Sequence, residues 1–310
     1  MIDTRATPSP RPGSAPVAAR PGAEPVAPDA LRARHARKIR LGPAGWAGLA
    51  LLATITLAAV FAPWVAPYDP RQTTGQPFSA PSAAHWLGTN DIGQDILSEL
   101  IWGARVSLAI GVLAAVVGTA LGTAAGVLGG YFRGRVDAFL MRTVDVVLVV
   151  PFLPLMILLA AYLGPSVGTL ALVIGVLVWA RPARVVRSVV LSQSARDYVM
   201  AARALGSGSG RILRLHILPS VLSMALAEFV QLASRSILLE AALAFLGLGD
   251  PIQKSWGSVL FYAQARGAFL SGAWVWWVLP PGLLITTAVL GFALLGFDME
   301  RIVNPRLRRR

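Results

Sequence analysis

Long charge-free apolar runs alternate with short basic segments along this chain of 310 residues. A hydrocarbon core of about 30 Å needs roughly 20 apolar residues in a helix. Leu41 to Tyr68 carries no charge and leaves at Pro63, Trp64 and Pro67, which predicts a first span over 43–65. Val106 to Phe132 predicts a second, with Gly111, Gly118, Gly122 and Gly126 available for close helix packing in lipid. Val146 to Ala180 is charge-free for 35 residues, too long for one span, and Gly164, Pro165 and Gly168 divide it into spans at 142–163 and 167–185. His216 to Ser236 predicts a fifth span that carries Glu228, Gln231 and Arg235. Pro280-Pro281 divides the last apolar run, giving a sixth span at 279–299 behind an interfacial piece with Trp274, Trp276 and Trp277.

Between spans four and five lies a polar island, Ser194 to Pro219. Tyr198, Ala201, Ala202 and Leu205 fall at i, i+3, i+4 and i+7, one face of a short helix. Ser194 and Asp197 have the spacing of a capping box, and Gly206 stands where the helix should stop. Ahead of span two, Ser98, Glu99, Leu100 and Trp102 predict another short helix, lying on the membrane.

Charge sets the orientation. Of 28 Lys and Arg, eight precede residue 41, three lie in 133–142, seven in 181–214 and five from Arg301 onward. Only Arg71, Arg105, Arg235, Lys254 and Arg266 fall in the alternate segments. By the positive-inside rule the richer side is cytoplasmic, so six spans with both termini inside are expected. The organisation that follows is a disordered basic tail over 1–40, a first transmembrane helix within 41–68, an external loop at 69–105, and a transmembrane domain over 106–310. That domain includes a cytoplasmic loop at 191–216 and an external region at 239–278. Asp3, Arg5, Arg11 and nearby prolines leave no signal-peptide apolar region at the start. The juxtamembrane RARHARKIR attracts anionic lipid or simply stops span one.

Composition agrees with an all-α polytopic membrane protein: 55% hydrophobic, 14% charged, mean hydropathy +0.63. A soluble domain would carry about a quarter charged residues. The net charge of +13 does not imply nucleic acid, because no aromatics interleave with the basic residues as a base-stacking surface needs. There is no cysteine, His35, His85 and His216 are scattered, and no metal-ligand spacing occurs. A G-x-x-x-x-G-K-[ST] phosphate loop and a catalytic triad are both absent, so a non-enzymatic subunit driven by a partner is expected. Glu228 is a carboxylate inside a span, and with Gln231 and Arg235 it marks a face that lines a substrate route, meets another subunit, or forms an internal pair. Arg142 and Asp145 are spaced to pair on one helix.

Four motifs together resemble the permease subunits of ABC importers in the dipeptide/oligopeptide/nickel branch. They are APYDP with HWLGTNDIGQDILSELIWGARVSL (Ala66 to Leu108), YVMAARALG…HILP (Tyr198 to Pro219), LLEAALAFLGLG with SWG (Leu238 to Gly257), and the terminal NPRLR. The resemblance covers the chain from about residue 45 onward. It implies a type I permease bundle in a bacterial plasma membrane, paired with a homologous second permease, two ATP-binding subunits and an extracytoplasmic substrate-binding protein. ATP and Mg would be held by the partners, and no cofactor by this chain. It further implies that Tyr198, Met200, Ala201, Ala202, Arg203, Ala204, Leu205 and Gly206 form a coupling helix of the EAA type. Glu240 would brace the external fold. The expected cargo is a short peptide, with a nickel or metal chelate as the alternative. A self-contained secondary transporter or channel is the competing class and would need paired broken helices. The chain departs from the family pattern at Met200, which replaces an acidic residue, at Asn90 and Gln94, which replace an Asp and an Arg, and at Ala293 to Asp298, where Ala-Leu-Leu-Gly-Phe-Asp stands in place of the usual Asn-Leu-Leu-Gly-Asp.

Overall fold

A computed structural model describes residues 41–303; the basic tail at 1–40 and the NPRLR motif lie outside the described residues. Every regular element among the described residues is helical. Four helical stretches are long and apolar enough to cross a membrane, and two sharply bent pairs bring the number to six if each pair is one span.

The first helix, α1 (Pro43–Val60), is followed by a single turn, α2 (Ala62–Val65). Helix α1 has no cap of its own, and both of its ends are served by distant side chains. Asp298 accepts from the backbone N–H of Gly42 and, at 3.2 Å, from that of Gly45. Arg105 donates through Nε to the carbonyl of Ala59 and through Nη2 to that of Val60, at 2.5 and 2.7 Å. A carboxylate at the start and a guanidinium at the end are the signs that the helix dipole favours.

Helix α3 (Ile96–Phe132) is the central column. The short membrane-surface helix expected at Ser98 to Trp102 is instead its first turns. Asp95 caps α3 by accepting from the N–H and hydroxyl of Ser98, at 2.8 and 2.7 Å, so the helix starts there and runs on without interruption. Its glycines make a ridge of backbone. A Cβ on Gly118 would lie 2.8 Å from Val178, one on Gly122 2.7 Å from Pro182, and one on Gly126 2.7 Å from Val186. Side chains there would force the neighbouring helices away.

Expected spans three and four are both bent. Helix α4 (Gly134–Val149) meets α5 (Phe152–Leu163) at 89°. Pro151 sits at the break and Val150 is extended, as a residue before proline tends to be. Helix α6 (Val167–Val178) meets α7 (Ala180–Ser194) at 46°, around Trp179. Pro182 can offer no N–H to the carbonyl of Val178, which loosens the ladder at that turn. Gly164, with φ +83°, ends α5 where the tight turn between these spans was expected.

Arg142 and Asp145 do not pair. Asp145 is bonded to Arg184 of α7, and Asp137 holds the guanidinium of Arg187 through both carboxylate oxygens at 2.5 and 2.6 Å. Both carboxylates of α4 therefore tie it to α7, and Arg142 stays exposed. The chain continues through α8 (Asp197–Ala204), α9 (Ser209–Ile212) and a π-helical turn at Leu213–Ile217 into α10 (Leu218–Leu243). A second π turn, Ala244–Leu248, carries the helical path past Ser236, where the fifth span was expected to end. Helices α11 (Trp256–Ala265), α12 (Trp274–Trp277) and α13 (Leu279–Val303) complete the bundle. Helix α3 packs against α6, α7 and α10, while α13 closes on α1 and α10.

Candidate functional site

The polar island folds as a short arm. Val199 is fully buried and joins Tyr131, Val186, Val190, Ile212, Ile217 and Val221 in a small apolar cluster of its own. Val199 and Ile212 are thus the two pins that fix the arm to the bundle. From this base α8 presents the opposite face to water. Leu205 is 87% exposed and Met200 51%, and Ala201 and Ala204 are exposed beside them. Ala202 is half-buried. Tyr198 donates to Gln193 Oε1 at 3.0 Å and lies 5.6 Å from the ring of His216. Arg203 turns back over Tyr131. Gly206, at φ +79°, ends the arm in the left-handed region that glycine alone enters cheaply.

The expected capping box does not form. Ser194 is still helical at the end of α7 and its buried hydroxyl has no partner, while α8 begins two residues after the break with Arg196 as its uncapped lead. Val199 was not singled out by the sequence pattern, because one apolar residue among polar ones shows no period.

Glu228, Gln231 and Arg235 sit along α10. Glu228 is half-buried, Gln231 and Arg235 are exposed, and no ion pair joins Glu228 to Arg235. Arg235 reaches a cavity of about 370 Å³ at the two helix breaks, where Val150, Phe152, Val178, Arg181 and Arg184 also line the wall.

The segment before α3 is a folded cap. His85 and Asp95 pair at 2.9 Å, and Gly93 has φ +79° at a place where a Cβ would lie 2.1 Å from the carbonyl oxygen of Gly75. Asn90 and Gln94 hydrogen-bond to each other at 3.0 Å, so a neutral amide pair stands at the two positions where the family pattern has opposite charges. Both also reach an ion pair between buried Glu99 and half-buried Lys254. Glu240 is buried and accepts from Ser107, whose oxygen in turn receives the N–H of Trp256 at 3.2 Å. The three motifs within the described residues are therefore packed on one another or, for the arm, on the base of the bundle.

A helical membrane bundle with bent inner spans, a folded cap at one end and an apolar-tipped arm is the build of a transport permease. The chain belongs to the binding-protein-dependent transport system inner membrane component family, whose pattern matches residues 118–309. Residues 33–81 match the N-terminal transmembrane domain of oligopeptide transport permease C. The chain is 38% identical over 275 residues to the dipeptide transport system permease protein DppC of Escherichia coli K12, covering 84% of this chain and 89% of that one. It is 37% identical over 271 residues to the di/tripeptide permease DppC of Pseudomonas aeruginosa, covering 84% and 88%. It is 33% identical over 275 residues to the dipeptide permease DppC of Bacillus subtilis, covering 88% and 85%. The family is one of inner-membrane permeases and not of enzymes.

Proposed function

We propose that this chain is one permease of an ATP-driven importer of short peptides, paired with a homologous second permease above two ATP-binding subunits and below a binding protein. The observation that carries the reading is α8: an eight-residue helix with apolar residues bared to water, on a base pinned by buried Val199. Bare apolar surface held rigidly is costly unless a partner covers it. Tyr198, Met200, Ala201, Ala202, Ala204 and Leu205 would seat in a groove of an ATP-binding subunit, with Arg203 and Gly206 fixing the arm's base and exit. Closing of two such subunits around ATP and Mg would then move the arm, and α7 and α10 would carry the motion into the spans.

Peptide as cargo is supported by the names of the three relatives above, each a dipeptide or di/tripeptide permease. The bent pairs alone would also suit a secondary transporter, which uses broken helices at its midplane. Membership in a binding-protein-dependent family favours an external energy source instead.

The test is Leu205→Asp in the full complex. Burying a charge at a docking centre should weaken ATPase association by about 2 kcal/mol or more. ATP-dependent uptake of a labelled dipeptide should fall with it, while membrane insertion stays normal. Unchanged copurification of the ATPases would remove α8 from the contact. Uptake of a nickel chelate in place of dipeptide by the wild-type complex would move the cargo to the metal branch.

A further inference from the structure

We propose that the cavity at the two helix breaks is an anion site on the transport path, and that it takes the carboxylate of a passing peptide. The proposal rests on the reading of the chain as a peptide permease.

Three guanidinium groups line this one cavity: Arg181 and Arg184 from the first turns of α7, and Arg235 from α10. They come from two elements, so the meeting of Arg235 with the other two is a product of the fold. The bends at 150–151 and at Trp179 open the space, because straight helices would fill it with side chains. At about 370 Å³ it falls within the size of small-molecule sites.

The charges are not balanced from within. Asp145 pairs with Arg184. Arg235 has no carboxylate within ion-pair distance among the described residues, and its guanidinium lies 5.9 Å from the ring of Phe152. Among the described residues Asp145 is the one carboxylate within ion-pair distance of the three arginines, so Arg181 and Arg235 are left without an acidic partner. An arginine within a span costs about 2.5–3.5 kcal/mol on insertion scales, and such residues face cavities and mark routes. A guanidinium is also matched to carboxylate, which it grips through two parallel hydrogen bonds. Every short peptide with a free C-terminus carries that group. A site with unpaired guanidinium groups is suited to hold such an anion.

The complete importer in proteoliposomes, with its binding protein, provides the test. The probes are alanyl-alanine and alanyl-alaninamide, each at the concentration that loads the binding protein equally. The wild type should favour the free acid. Arg235→Gln should slow the acid about tenfold or more, as expected for losing a charged hydrogen bond, and leave the amide nearly unchanged. Arg235→Lys should retain part of the preference, and Arg181→Gln should lower it independently.

Equal slowing of both probes in Arg235→Gln would overturn the proposal, because the arginine would then hold a lipid headgroup or the packing. Unaltered preference in both glutamine variants would overturn it as well. Loss of copurification with the second permease in Arg235→Gln would assign the charge to the subunit interface and overturn it too. A wild-type importer that moves neither probe fails the peptide reading itself, and the anion site falls with it.

Discussion

Asp298 stands in the last helix, yet the groups it serves open the first. Its carboxylate is 4% exposed and accepts from two N–H groups that no residue near α1 can satisfy. Asp298→Ala should therefore destabilise the chain by about 1–3 kcal/mol, the cost of stranding buried donors. Thermal unfolding in detergent would show it, and Asp298→Asn, which keeps an acceptor, should recover part of the loss. An unchanged melting temperature in Asp298→Ala would show that the clamp carries no stability. Residues of this kind are hard to read in sequence. Spacing along one helix pointed Asp145 to Arg142, but the partner that won lies 39 positions on, across a helix contact. The same blindness hid Arg105, Arg187 and Lys254, whose partners are 45 to 160 positions away. What was legible was local geometry: Gly206 as a stop, and Tyr198, Ala201 and Leu205 of the expected helix face, which are exposed, with Ala202 half-buried beside them.

At the scale of elements, the glycine ridge of α3 decides how near its neighbours come. A Cβ on Gly122 would meet both Pro182 and the backbone carbonyl of Trp179, and backbone cannot step aside. Gly122→Leu should cost roughly 1–3 kcal/mol by overpacking and reduce the yield of monodisperse complex in size-exclusion chromatography. Gly168→Ala, at a glycine with nothing within 4 Å, is the control and should behave as wild type. Equal behaviour of the two variants would mean that the ridge has slack. Spans were readable because charge-free runs are long and the breaks at Gly164 and Pro280 are compositional. Their bends were not read, since the charge-free run passes through residue 150 without interruption and the arginines after residue 179 read as the end of a span. Pro151 and Pro182 were the available signals, through the hydrogen bond each removes.

For the whole molecule, the distribution of arginines and lysines predicts which side each loop occupies. The chain contains no cysteine, so single replacements report without background. Ser207→Cys on the arm should react with a membrane-impermeant thiol reagent only in inverted vesicles, and Ala83→Cys in the exposed cap only in intact spheroplasts. Labelling of both from one side would break the six-span arrangement with both ends inside. Charge alone predicts that outline, whereas the packing of cap, arm and spans depends on contacts that no linear pattern records. The two latches on α1 carry a last consequence, for the order of manufacture. Arg105 emerges soon after α1, but Asp298 is made 193 residues later, which is roughly 10–40 s at ordinary rates of synthesis. During that interval the first helix is secured at one end only. The bundle becomes closed when its final helix enters, so a ribosome that stalls short of that point leaves the opening segment loose and open to quality-control proteases.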